Sequence, residues 1–335
     1  MTEIFARVAA LLALFAVLAL CPGAPAGAAE LPAPLFDHVF VIVLENHGFD
    51  DSFANGPSPF MRELAESQGL ATHYFGISHP SLPNYLALIG GDDFGIRNDR
   101  PSCFASDLSD QTACNKVAGD SLVGQLRSAG LSFAIYAENL PRIGSLVSAA
   151  PGNSSWALYA QKHNPVPYFE DLARDPSVLS QMKPYSDFAA DLASGPPSVA
   201  FIVPNQCHDG HGLPVCRDRD RLIADYDAFV REAVTAIRAS KAWTRRSAIV
   251  VTFDEGARSL YPEAALSEPA RRAAEADNHI ATIIVTRCGA PLRDAERYDH
   301  FSLLATIQDG FGLPRLRKSA QAAPMRPLFA DRCPS

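Results

Sequence analysis

Five short runs of β-branched and other apolar residues recur along the chain with little polar interruption, at 38–44, 132–137, 198–203, 247–253 and 281–286. A half-exposed strand alternates in polarity, whereas continuous runs of this length fit strands covered on both faces. Between them the period changes. The segment 221–240 carries Leu222, Tyr226, Phe229, Val230, Ala233 and Ile237 at three- and four-residue spacing, the stripe of an amphipathic helix. Segments 59–67 and 120–129 read as helices too, the second with Asp120 as its N-cap and Gly130 as its stop. Strands alternating with helices predict an α/β protein, a layered sandwich around a mostly parallel central sheet. The stretches 90–115 and 144–184, dotted with Pro and Gly, are expected to be insertions that rim a site. With no internal repeat or linker, residues 29–335 read as one domain.

The longest apolar run, 8–20, lies at the N-terminus between Arg7 and the small-residue segment 24–29. It is shorter than the ~20 residues that span a bilayer, and it precedes an A-x-A site, so residues 1–28 are expected to be a cleaved export signal. No later run is both long and uncharged enough to span, so the expected product is secreted or periplasmic, with no integral membrane segment. The composition, 47% hydrophobic and 20% charged, is that of a globular chain. A net charge of −8 argues against a sequence-independent grip on nucleic acid, which needs a surplus of cations. Cys21 leaves with the signal. Cys103, Cys114, Cys207, Cys216, Cys288 and Cys333 remain, an even number that in an exported chain suggests disulfides. Nearness in sequence suggests 103–114, 207–216 and 288–333. The rival reading is a zinc site from Cys207, His208, His211 and Cys216.

Ligands of open parallel sheets gather beyond the carboxyl ends of strands. The first run is followed by Glu45-Asn46-His47, the fourth by Asp254-Glu255-Gly256, and the third by 204–211 with Asn205, His208, Asp209 and His211. Adjacent acids at the end of a buried strand are costly unless a cation sits there, and Glu, Asp and Asn oxygens suit a hard or borderline divalent ion. Each pair alone is also compatible with capping of the next helix. Ser81, between Pro80 and Pro83 and just before an apolar run, fits a helix start. Backbone N–H groups there stabilise an oxyanion or phosphate, and metal ligation would activate the hydroxyl as a nucleophile. Spacing alone leaves simple N-capping equally open.

Glu45-Asn46-His47, the run 79–85 (HPSLPNY), His208-Asp209-Gly210, Asp254-Glu255 and Asp299-His300 occur in that order. So ordered, they resemble the phosphoesterase family of bacterial acid phosphatases and phospholipases C, over nearly all of the chain after residue 28. The segments 136–141 and 162–165 look most like its smaller secreted acid phosphatases. The resemblance implies an alkaline-phosphatase-like three-layer sandwich and one divalent metal held by Glu45, Asn46, Ser81, Asp254 and Glu255. Ser81 is then the nucleophile as well. Related folds hold two metals. Here the late pair is Asp-Glu, and Asn205 stands where an acid is expected, which favours one metal assisted by imidazoles. His208 and His279 are the expected catalytic histidines. His163, Asn164, Asn84 and Asp209 are expected at the phosphate, with His300 there or supporting the site from behind, and His47 is expected to be structural.

The activity so implied is hydrolysis of phosphate monoesters through a phosphoserine, on a phosphorylated small molecule or a lipid head group. The alternatives are a phospholipase C-type diesterase and, in a different class, an inactive secreted binding protein.

Overall fold

The computed structural model describes residues 35–330 except 56, 111, 153–155 and 257–277. The expected export signal and Cys333 lie outside them. Among the described residues there are ten strands: β1 His38–Leu44, β2 Gly69–Phe75, β3 Phe133–Ala137, β4 Ala149–Ala150, β5 Tyr159–Ala160, β6 Met182–Pro184, β7 Val199–Val203, β8 Ser247–Phe253, β9 His279–Thr286 and β10 Leu292–Asp299. Eight of them form one sheet in the order β10-β2-β9-β8-β1-β7-β3-β6, while β4 and β5 make a separate small hairpin. Every pairing in the large sheet is parallel except the two that flank β9.

The central strands are those with continuous apolar sequence. All residues of β3, β7 and β8 are buried, and so is all of β1 but His38. Helices cover the sheet in two groups. Helix Ser81–Gly90 packs on helix His300–Gly310, and helix Pro59–Ser67 packs on helix Arg219–Ala239. A mostly parallel sheet sandwiched by helices is the expected fold class. None of the helices among the described residues is long and apolar enough to cross a membrane.

Some elements depart from the sequence reading. β2 and β10 are not among the five expected strands, because GLATHYF and LRDAERYD mix polar and apolar positions, and β6 joins the sheet from within the expected insertion 144–184. β10 is an edge strand, where charged side chains block further pairing. The helix expected from Asp120 spans Leu122–Ser128, and its cap is Ser121, whose hydroxyl accepts from the Gly124 N–H at 3.2 Å. Gly130, at φ +72°, turns the chain out of it.

Disulfides join Cys103 to Cys114 and Cys207 to Cys216, which removes the thiolates that a zinc site would need. Cys288 is also disulfide-bonded.

The two helices of the second group are tied by one carboxylate. Buried Asp227 accepts the Phe60 N–H at 3.1 Å and the Met61 N–H at 2.8 Å, capping helix Pro59–Ser67 from its neighbour. Removing it strands two amide donors, each costly when buried. Asp227→Ala is therefore expected to lower stability by about 2 kcal/mol, read as a lower urea midpoint at unchanged m-value.

Candidate active site

Because β1, β7 and β8 run parallel side by side, their carboxyl ends deliver Glu45, the 204–211 turn and Asp254-Glu255 to one edge. β2 runs antiparallel to β9, and β9 antiparallel to β8, so the segment after β2, which carries Ser81, reaches the same edge. The chain leaves β1 through Asn46 in the left-handed region, φ 53°, a conformation that Asn tolerates. Two glycines allow the turns to close. A Cβ at Gly210 would come within 2.8 Å of the Glu45 carbonyl oxygen, and one at Gly76 within 2.9 Å of the Asp254 carbonyl oxygen.

Glu45 is fully buried and is the centre of the cluster. Tyr85 donates its hydroxyl to Oε1 at 2.6 Å, Ser81 donates to Oε2 at 3.1 Å, and His163 Nε2 lies 3.1 Å from Oε2. His163 Nδ1 lies 3.4 Å from Asp209 Oδ2, so this imidazole bridges two buried carboxylates. Burial raises the Glu45 carboxyl, but the charges of His163 and Lys162 outweigh it and hold the group well below the usual range. Burial likewise works against the His163 cation, yet Glu45 and Asp209 lift its pKa to about 9. Asp209 is pushed up to about 6 by burial, only partly relieved by His163.

The late pair is held differently. Asp254 Oδ1 accepts the backbone N–H groups of Glu255 at 2.6 Å and Asn46 at 3.3 Å, and Glu255 Oε2 lies 2.7 Å from His79 Nδ1. Burial and the neighbouring Glu45 and Glu255 charges raise the Asp254 carboxyl well above normal. Asp254 Oδ2 and Asn46 Oδ1 are buried without a hydrogen-bond partner, and Glu255 Oε2 has His79 alone. Unsatisfied buried oxygens on adjacent strand ends are the donor set a hard divalent cation takes, so the residues fit a metal ion. Glu45, His163 and His211 form a second grouping, with ligand atoms within 4.8 Å of one another, that shares Glu45 with the ligand set expected from the sequence.

Ser81 opens helix Ser81–Gly90, whose residues are all buried. The loop before it is stapled by Asn84: its Oδ1 accepts from the Ile77 and Ser78 N–H groups at 2.8 and 3.3 Å, and its Nδ2 donates to the Ser78 carbonyl at 2.8 Å. Asn84 thus places the serine, and its side chain is spent on that loop. Asn164 is buried and accepts from the Val166 N–H at 3.2 Å, while its Nδ2 has no partner. His300 is buried behind the site, its Nε2 2.5 Å from the Asp254 carbonyl oxygen and its Nδ1 3.1 Å from the Tyr74 hydroxyl. Burial lowers its pKa to about 4, so it braces the metal-side strand as a neutral ring.

Two expected catalytic histidines are hydrogen-bonded to residues outside the cluster. His208 is 42% exposed and pairs with Glu138 at 3.0 Å. His279 starts β9, where its Nε2 lies 2.8 Å from the Thr72 carbonyl oxygen and its ring stacks on Phe49 at 4.6 Å. Both reach the right edge of the sheet, with one ring nitrogen of each held outside the cluster, His208 Nδ1 by Glu138 and His279 Nε2 by Thr72. Asn205, where an acid is expected, shapes its own turn by accepting the Cys207 and His208 N–H groups at 2.9 and 3.1 Å. His47 is structural, its Nε2 3.1 Å from the Gly210 carbonyl oxygen. In their place the structure brings in His79, Tyr85, Asp99, Lys162 and His211. Asp99 and Lys162 come from the two long insertions, which do rim the site.

A family model described as Phosphoesterase family matches residues 51–314. The chain is 31% identical to the phosphatidylinositol-3-phosphatase of Mycobacterium tuberculosis, across 91% of this chain and 87% of that one. It is 28% identical to the phosphate-repressible acid phosphatase of Penicillium chrysogenum, across 89% of this chain but only 64% of that protein. In three dimensions it is similar to an alkaline phosphatase superfamily protein from Vibrio parahaemolyticus, with TM-score 0.55 and 12% identity over 86% of this chain and 71% of that one. A phosphonate monoester hydrolase from Silicibacter pomeroyi gives TM-score 0.54 at 12% identity, over 89% and 78%. These two likenesses concern the fold.

Two outcomes follow from this geometry. Asp254→Asn removes a carboxylate but keeps the Oδ1 acceptor for two backbone amides. It is expected to fold and to hold at least tenfold less divalent metal after dialysis, as counted by elemental analysis. The second concerns His208, whose pKa is raised by its hydrogen bond to Glu138. A raised imidazole contributes stability that is complete below the unfolded value of about 6.5 and is lost as pH rises through the folded value. The urea-midpoint gap between the natural chain and Glu138→Gln is thus expected to be wide at pH 5 and to close at alkaline pH.

Proposed function

The chain belongs to the phosphoesterase family, and from that membership we propose that it is a metal-dependent acid phosphatase acting on phosphate monoesters through a phosphoserine at Ser81. The observation that carries this reading is the Ser81 hydroxyl itself. It is 1% exposed, opens a buried helix and donates to Glu45 Oε2 at 3.1 Å, with the unsatisfied oxygens of Asn46 and Asp254 in the same cluster. A buried serine pinned among carboxylates has little use as a cap.

Glu45, Asn46, Asp254 and Glu255 are the residues that would hold the metal. When bound, a divalent ion supplies a lowered hydroxyl pKa and neutralises phosphoryl oxygens. The remaining parts belong to the chain. On attack at phosphorus the Ser81 proton passes along its hydrogen bond to Glu45 Oε2, and the His163 cation between Glu45 and Asp209 keeps that corner in charge balance. The bond from phosphorus to the leaving oxygen breaks, and that oxygen takes a proton from His79, whose Nε2 has no partner in the cluster. Water then attacks the phosphoserine and returns its proton to His79. The proton on Glu45 goes back to Ser81 as phosphate is released. Positioning and charge neutralisation account for most of the acceleration in such transfers.

Export to the cell exterior or periplasm belongs to the same proposal, supported by the disulfides and by the N-terminal run. A phosphoinositide is the first substrate to try, because the mycobacterial relative carries that activity in its name.

The test is turnover of p-nitrophenyl phosphate against bis-p-nitrophenyl phosphate from pH 4 to 9, before and after chelation. The monoester is expected to be preferred at acid pH, with loss on chelation and return on adding divalent metal. Diester preference would overturn the phosphatase assignment in favour of the phospholipase C type. Turnover of neither ester by metal-loaded protein would favour the binding protein. Ser81→Ala is expected to fold and to lose at least ~10³-fold in kcat, and retention of substantial turnover would remove Ser81 from the mechanism.

A further inference from the structure

Lys162 belongs to neither metal grouping, and its ammonium group is completely hydrogen-bonded at the nucleophile. Its Nζ lies 3.3 Å from Ser81 Oγ, 3.1 Å from Asp99 Oδ2 and 3.0 Å from His211 Nε2. An ammonium has three donors and no acceptor, so these three partners use all of it. Each of them is free to accept. The Ser81 proton points to Glu45, leaving an Oγ lone pair for the lysine. His211 Nδ1 lies 3.1 Å from the Gly212 carbonyl oxygen, which fixes the proton on Nδ1 and leaves Nε2 bare.

Asp99 ties this cation to the serine in a second way. Its Oδ1 accepts the N–H of Leu82, the residue after Ser81, at 3.0 Å, while Oδ2 holds Lys162. One carboxylate thereby sets both the first turn of the nucleophile's helix and the cation facing its hydroxyl. The two residues come from separate insertions, 63 positions apart in sequence. The Lys162 side chain is 15% exposed and that of Asp99 27%, so water screens the pair only in part.

We propose that Lys162 is a further catalytic residue and Asp99 its positioning residue. The inference rests on the reading of Ser81 as nucleophile. The ammonium faces Ser81 Oγ where negative charge develops on attack, and then faces the oxygens of the phosphoryl group bound there. It keeps its three protons throughout and acts as a fixed positive charge, the form of stabilisation that phosphoryl transfer rewards most. A guanidinium is planar and longer, so arginine would replace the charge without the three-way fit. A cavity of about 180 Å³ lined by Asp99, Gln161, Lys162 and Tyr168 opens beside the pair, giving a small amine access to the place of the lysine head.

The test compares Lys162→Ala, Lys162→Gln, Asp99→Asn and Ser81→Ala with the natural chain, all as metal-loaded full-length protein. The readouts are kcat, KM, melting temperature and metal per chain on aryl phosphates. Lys162→Ala is expected to lose about 100-fold in kcat with metal content unchanged, and to recover at least tenfold when ethylamine or propylamine is added. Lys162→Gln, which keeps a donor but no charge, carries the test should the alanine variant not fold, and is expected to lose about as much. Asp99→Asn is expected to lower kcat about tenfold with KM within about twofold, and Asp99→Glu to restore part of it. A kcat within threefold of the natural value for Lys162→Gln overturns the proposal, and so does a loss of activity that tracks metal loss or that no amine rescues. Ser81→Ala separates the two levels. If it is dead while Lys162→Gln is active, only the lysine assignment falls, and if it is active the nucleophile reading falls first.

Discussion

Four carboxylates buried at the end of an apolar sheet set the terms for the rest of the molecule. Glu45, Asp209, Asp254 and Glu255 are each no more than 2% exposed, and they share one edge. Concentrating that much negative charge away from water costs several kcal/mol per ion unless cations answer it. The chain answers part of it with His163 between Glu45 and Asp209, His79 on Glu255 and Lys162 nearby. It leaves the oxygens around Asp254 unanswered. That imbalance accounts for the opposite displacement of Glu45 and Asp254 within one cluster. The first is held low by resident cations and the second is driven up by burial and by its neighbours. In the proposed function a site poised in this way would be completed by a metal and a phosphate, one cation and one anion, rather than by either alone.

The architecture supplies the convergence. Parallel strands put their carboxyl ends together, so Glu45, the Asn205–His211 turn and Asp254-Glu255 meet without any long-range search. The reversal at β9 leaves β2 pointing the same way as β8, β1 and β7, and the chain beyond β2 enters the buried helix at Ser81. His300 then braces the Asp254 strand end from behind, and Asn84 fixes the loop ahead of the serine. The insertions add what the sheet edge lacks. Residues 90–115 bring Asp99, and the hairpin β4–β5 leads directly into Lys162 and His163.

Much of this was legible in the sequence, and the parts that were not share physical causes. β1, β7 and β8 announce themselves because strands covered on both faces are apolar throughout, and the acids that follow them stand out by contrast. β10 does not, because an edge strand is kept charged for a reason unrelated to its hydrogen bonding. The order of motifs points to Ser81 and Glu45. It could not show that His279 turns to the Thr72 carbonyl oxygen or that His208 turns to Glu138, since a ring nitrogen's partner depends on tertiary packing. Tyr85 meets Glu45, and Lys162 meets Asp99 and Ser81, across 40, 63 and 81 positions of sequence, of which adjacency gives no sign. The one cue was chain-local: Lys162 precedes His163, so a residue expected at the phosphate had a cation beside it.

The most direct measurement of the account is the chemical state of Ser81 during turnover. Enzyme mixed with ³²P-labelled monoester and quenched in acid within milliseconds is expected to carry label that survives denaturation and maps to the peptide containing Ser81. Label on a histidine, or turnover with no covalent label at any quench time, would contradict it.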